Sequence, residues 1–157
     1  MQEIRVVKRD GEYEDIAFDK ILRRIKKLGS EANLTIQYVP LAMKVIELLH
    51  DGIETAVIDK LTAEESIALI TKHPDYGTLA SRILVSNHQK NTDESFSNTM
   101  NKLYNNRDIH DNHSPLLSLI VSNFINDNAD ALDKMCDYNR DYNIDYDIDN
   151  NIDYYRP

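Results

Sequence analysis

Lys8 and Arg9 stand directly before an Asp10-Gly11 pair, and the carboxylates Glu12, Glu14 and Asp15 follow at once. So much charge of both signs around one short turn suits the recognition of a polar ligand. A Lys or Arg supplies charge for phosphates, and a carboxylate accepts from a sugar hydroxyl or an exocyclic amine. Successive strand residues point to opposite faces, so only one of Lys8 and Arg9 can turn down into a pocket. If helices wall that pocket, Glu14, Asp19, Lys20, Thr55 and Asp59 are the further polar candidates, and apolar neighbours can sandwich a base. The hairpin then forms half of a nucleotide site. The alternative is a solvated charged hairpin, with Thr55 acting only as a helix cap. Neither a GxxxxGK[ST] loop nor a GxGxxG turn is present to signal phosphate binding independently.

The remaining reactive residue types read as structure. His73 precedes Pro74 and suits a helix entry, and His110 and His113 lie three apart in a polar loop without a third nitrogen or sulfur ligand. Cys136 is the single cysteine, so neither an intrachain disulfide nor a Cys-based zinc site can form, and a half-buried helix position is expected for it.

Two β-rich runs, residues 4–9 and 13–18, flank Asp10-Gly11 and predict a hairpin, because Gly accepts the positive φ of a tight turn. Asp19 is placed to cap a helix with Ile21, Leu22, Ile25 and Leu28 inward, Arg23, Arg24, Lys26 and Lys27 outward, and an end near Gly29. A linker through Pro40 leads to a second helix stopped near Asp51-Gly52. A third runs from Thr55 to about Thr71, with Thr55 and Asp59 four apart and so on one face. Pro74 opens a fourth, whose Tyr76, Leu79, Ala80, Ile83 and Leu84 make the clearest apolar stripe. Phe96, Met100, Leu103 and Tyr104 predict another helix, and one starting at Ser114-Pro115 is expected to turn Leu117, Ile120, Val121 and Phe124 inward. Residues 129–137 add a short helix. Beyond it, Tyr142, Ile144, Tyr146, Ile148, Ile152 and Tyr154 alternate with polar residues in a low-complexity segment.

At 157 residues, 41% of them hydrophobic, the chain can build one ordinary domain or two small ones. Its net charge of -9 argues against nucleic acid as a partner. That acidity sits mostly at the end: residues 127–157 carry nine Asp against three basic residues. Charges in MQEIRVVKRD stand where a signal peptide needs apolar residues, so neither secretion nor a membrane span is expected, and a cytoplasmic location is.

Taken as a pattern, VVKRDGEYEDIAFDKILRRIKKL resembles the start of the ATP-cone, a small regulatory nucleotide-binding module. MKVIELLHDGIETAVIDKL and TKHPDYGTLASRILVSNHQKNTDESFSNTMNKLYN are similar to the eukaryotic and viral type of class I ribonucleoside-diphosphate reductase large subunit. HSP at 113–115 and YNRDYNIDY at 138–146 continue the likeness in order. The resemblance implies a mainly α fold with an N-terminal β-hairpin: an ATP-cone over 1–92, the helical start of the large-subunit domain over 93–137, and an acidic, Tyr-rich tail over 138–157 that forms a strand or is disordered. It further implies that Lys8 and Arg9 contact a nucleotide, Lys8 at its phosphates. Glu14, Asp15, Ile16, Ala17, Phe18, Asp19 and Lys20 would line the site, Asp19 reading base or sugar and Lys20 phosphate. Thr55 and Asp59 match contacts from the third helix, and Lys90 matches a basic contact at the end of the fourth.

The implied ligand is ATP or dATP as an allosteric effector, with Mg²⁺. The implied partners are the rest of the large subunit, its homo-oligomer and the small radical-generating subunit. The catalytic barrel and its cysteines have no counterpart in these residues, so the chain alone is expected to have no reductase activity. Two other readings stay open: a free-standing ATP-cone regulator, and a helical protein-interaction module.

Overall fold

A computed structural model describes residues 4–142; the alternating segment expected beyond Tyr142 lies outside them. The chain divides between Asn91 and Thr92 into two compact units.

In the first unit, β1 (Arg5–Val7) and β2 (Tyr13–Asp15) form the expected hairpin, with Val6 opposite Glu14. The Lys8 amide donates to the Glu12 carbonyl at 2.8 Å, and Gly11 takes φ +85°, the left-handed conformation that glycine adopts without strain. A third strand, β3 (Ile53–Glu54), runs parallel to β1 and gives the order β2-β1-β3. Two residues are too few for a sequence period, so nothing in the alternation announces this strand. It is held by pairing and by Asp51, whose Oδ1 accepts from the Arg5 amide at 2.9 Å.

Four helices cover the sheet: α1 (Phe18–Glu31), α2 (Tyr38–Glu47), α3 (Thr55–Ala68) and α4 (Asp75–Lys90). Ile25, Leu28, Leu41, Val45, Leu79 and Ile83 from α1, α2 and α4 join Val6 and Ile53 of the sheet in one core. The helix ends differ from expectation in instructive ways. Asp19 lies inside the first turn of α1 and caps nothing, because the extended residue that opens the helix is Ala17. Gly29 does not stop α1 either. It is buried within the helix, where an added Cβ would overlap the ring of Tyr38, so it serves close packing of α1 on α2. The left-handed residue after this helix is Asn33, with φ +55°. Pro40 falls inside the first turn of α2, where its missing N–H has no helical partner to lose, and α2 ends at Glu47. Thr55 is the first residue of α3, after the extended Glu54. At the start of α4, the Asp75 amide donates to His73 Nδ1 at 3.2 Å, the helix-entry role expected of that histidine.

The second unit contains α5 (Phe96–Tyr104), α6 (Leu119–Asp127), α7 (Ala129–Met135) and a 3₁₀ turn over Tyr138–Tyr142. Ser95 caps α5, accepting from the Asn98 amide at 3.0 Å, and Asp133 of α7 accepts from the Ser97 amide at 2.8 Å. The sixth helix begins four residues later than Pro115 suggests, because Ser118 is its cap. Its buried side chains are Ser122 and Ile125, whereas Ile120 and Phe124, expected inside, are 81% and 60% exposed. Cys136 is half-buried at the end of α7.

Candidate functional site

The hairpin and α1 form one side of a cavity of about 250 Å³ in the first unit, with α3 and the end of α4 opposite, partly open to solvent. Of the predicted residues, Arg9, Glu14, Asp15, Ile16, Ala17 and Lys20 line it from the hairpin and the start of α1. Thr55 and Asp59 line it from α3, four residues apart and on one face as their spacing requires, and Lys90 from the last turn of α4. Lys8, Phe18 and Asp19 do not line it.

Lys8 and Arg9 both lie beyond the end of β1, and it is Arg9 that turns toward the cavity. Arg9 Nε donates to Asn91 Oδ1 at 2.7 Å, and its Nη2 donates to Asn87 Oδ1 at 2.5 Å and to Asp59 Oδ2 at 3.3 Å. Lys8 pairs instead with Glu12 at 3.7 Å and Glu14 at 3.3 Å. Glu14 also accepts from Lys20. Hydrogen bonds from Lys20 and then Lys8 hold the Glu14 carboxyl below the usual carboxylate range, and the Glu14 pairing raises the Lys8 ammonium above its own.

Asp59 is the buried centre of the site, 5% exposed. Arg24 grips it with both prongs, Nε to Oδ1 at 2.5 Å and Nη2 to Oδ2 at 2.8 Å, and Arg24 Nη2 also reaches Ser86 Oγ at 3.3 Å. Arg24 is the residue the sequence misplaced. Helical spacing sets it beside Arg23 on a basic outer face, yet it is half-buried and lines the cavity. A buried carboxylate requires a charged partner, and Asp59 thirty-five residues away supplies the pull. The available signal in the sequence was a carboxylate, Asp59, directly after Ile58 on a helix expected to bury its apolar face.

Lys90 has no hydrogen-bond or ion-pair partner among the described residues. Burial first, and then the charge of Arg24, lower its ammonium pKa, while Asp59 opposes them. The lining cations Arg9, Lys20, Arg24 and Lys90 outnumber the carboxylates Glu14, Asp15 and Asp59, and Lys90 is left unpaired among the described residues, an arrangement suited to an anion. The rest of the lining is largely apolar: Val6, Ile16, Ile21, Ile25, Ile58 and Ile83. A ligand that combines a flat apolar ring with several negative charges matches this lining.

Among the described residues no group of three or more His, Cys, Asp or Glu is arranged to hold a metal, and no helix is long and apolar enough to cross a membrane.

The sequence matches the ATP cone domain family over residues 4–91. Over 137 residues, 86% of this chain, it is 41% identical to the ribonucleoside-diphosphate reductase large subunit of Variola virus, covering 18% of that protein. The corresponding protein of Caenorhabditis elegans is 42% identical over the same length, with 17% of it covered. That of Danio rerio is 40% identical over 139 residues, with 18% covered. The chain thus spans less than a fifth of the length of these curated relatives.

Proposed function

The chain belongs to the ATP-cone family, and from that premise we propose that its first unit binds ATP or dATP as the allosteric effector of a ribonucleoside-diphosphate reductase large subunit. The observation that carries this reading is the cavity, whose lining combines Arg9, Lys20, Arg24 and Lys90 with several isoleucines. The base lies against the isoleucines and the triphosphate extends to the cations, which give affinity without distinguishing ribose from deoxyribose. Discrimination comes from contacts near the sugar, for which Thr55, whose hydroxyl has no partner among the described residues, is available. Mg²⁺ travels with the triphosphate, held mainly by phosphate oxygens. Asp15 is the lining carboxylate fit to join it, since Glu14 is taken by two lysines and Asp59 by two arginines.

The second unit is proposed as the helical start of the large-subunit domain, consistent with the apolar Leu119, Ile120 and Phe124 that it exposes. Effector binding acts by population shift: ATP and dATP bias different oligomeric states of the large subunit, and through them its work with the small radical-generating subunit. These residues contain no reductase chemistry of their own.

Calorimetric titration of the chain with ATP and dATP tests the reading. Saturable micromolar binding of both, weakened by Lys90→Gln, supports it. Absence of heat and of competition at millimolar nucleotide contradicts it, and favours a plain interaction module.

A further inference from the structure

The second unit leaves one apolar helix face uncovered among the described residues. From Ser114 to Asn126 no residue is charged. The sixth helix packs against α5 and α7 and buries only Ser122 and Ile125, whereas Leu119, Ile120 and Phe124 are 58%, 81% and 60% exposed. Ile120 and Phe124 stand four apart and so share a face, with Leu119 at its edge. Large apolar side chains grouped in this way mark a surface that something covers. With no charge among them, the cover is apolar on the side it presents.

The chain continues from the 3₁₀ turn over Tyr138–Tyr142, which Tyr138 ties to this unit by donating to the Glu94 carbonyl at 2.9 Å. Residues 143–157 come next. They set Ile144, Tyr146 and Ile148 on even positions and Asp145, Asp147 and Asp149 on odd ones, a period of two that gives an extended chain one apolar and one acidic edge. From Ile144 to Ile148 an extended chain spans about 13 Å, and the nine residues of α6 span about 13 Å of helix axis. The two surfaces match in chemistry and in length. Tethering places the segment at an effective concentration of about a millimolar, so at micromolar protein it takes the face ahead of a second copy.

We infer that residues 143–157 cover this face within the same chain, Ile144, Tyr146 and Ile148 lying against Leu119, Ile120 and Phe124 with the aspartates toward water. The inference goes beyond the large-subunit reading, which accounts for an apolar face but not for what this sequence sets on it, and it does not rest on the nucleotide reading. A cover held by three side chains and a tether is removable: an apolar partner reaches α6 by displacing it.

The test is photo-crosslinking of the full chain at micromolar concentration, with benzoylphenylalanine in place of Tyr146. The expected product has the mass of one chain and joins position 146 to the segment from Leu116 to Phe124. A product of twice that mass, in which a second copy supplies the face, overturns the inference; so does a crosslink placed elsewhere in the chain, or no product at all. Amide exchange gives a second reading, in the full chain carrying Ile144→Ser, Tyr146→Ser and Ile148→Ser together, with circular dichroism to confirm that the helices persist. Exchange in α6 is expected to quicken about tenfold while α1 to α4 stay unchanged. In a Phe124→Ser background the same three substitutions are expected to add much less, since the surface they uncover is already broken. Exchange in α6 that the three substitutions leave unaltered overturns the inference. Neither measurement involves nucleotide, so failure here leaves the reading of the first unit standing.

Discussion

Arg9 Nε lies 2.7 Å from Asn91 Oδ1, a bond between residues eighty-two apart that ties the hairpin to the end of α4. Asn87 reinforces it: its Oδ1 accepts from Arg9 and its Nδ2 donates to the Ala56 carbonyl at 3.3 Å, so a single side chain joins hairpin, α3 and α4. Asn87→Ala removes both bonds. It is expected to cost about 1–2 kcal/mol in urea unfolding and to speed amide exchange in the hairpin ahead of the helices.

Gly29 and Tyr38 make a second testable contact. In an ordinary helix Gly→Ala stabilises, by about 0.5–1 kcal/mol. Here the new Cβ would strike the Tyr38 ring, whose hydroxyl also donates to the Leu34 carbonyl at 2.9 Å. Gly29→Ala is therefore expected to destabilise, by about 1–3 kcal/mol. In a Tyr38→Leu background the same substitution is expected to cost much less, a sign of coupling that a double-mutant cycle reads directly.

The protonation of Lys90 gives a pH prediction. Burial, followed by the charge of Arg24, sets its folded pKa below the ordinary 10.5. Between the two values the unfolded chain binds more protons, so this lysine's contribution to stability rises with pH through that window and is unfavourable below it. An arriving triphosphate restores the pKa, so binding at alkaline pH is expected to take up protons. Calorimetry in two buffers of different ionisation heat measures the uptake, which Lys90→Gln is expected to abolish.

In the second unit, Asp133 is the residue whose protonation matters. The Ser97 amide, with help from the Ser97 and Ser95 hydroxyls, lowers its pKa below 3.8. A depressed carboxyl contributes stability above its unfolded pKa and loses it as pH falls through the folded value. Acid titration followed by amide exchange in α5 is expected to show this loss in the wild type and not in Asp133→Asn, which starts from the weakened state.

The sequence read well where a single element carries its own signal. Asp10-Gly11 between β-rich runs announced the hairpin, and the stripe of Tyr76, Leu79, Ala80, Ile83 and Leu84 announced α4, where all but the exposed Leu84 are buried. Thr55 and Asp59 could be put on one face by spacing alone. What escaped was decided by partners far along the chain. β3 exists because β1 offers it an edge, and Arg24 turns inward because a carboxylate thirty-five residues later needs it. The inward face of α6 was also misjudged: Ile120, Val121 and Phe124 are exposed, and Ser122 and Ile125 are the residues buried. The choice of Arg9 over Lys8 is made beyond the end of β1, where Asp59, Asn87 and Asn91, all far along the chain, hold Arg9.

The central claim is that groups from the hairpin, α1, α3 and the end of α4 meet around one nucleoside triphosphate. Chemical-shift mapping of the isotope-labelled chain during titration with Mg²⁺-ATP tests it most directly. The account predicts saturable shifts clustered at Arg9, Glu14–Lys20, Arg24, Thr55–Asp59 and Lys90, with the second unit unmoved. Shifts centred outside that cavity, or none at saturating nucleotide, would contradict it.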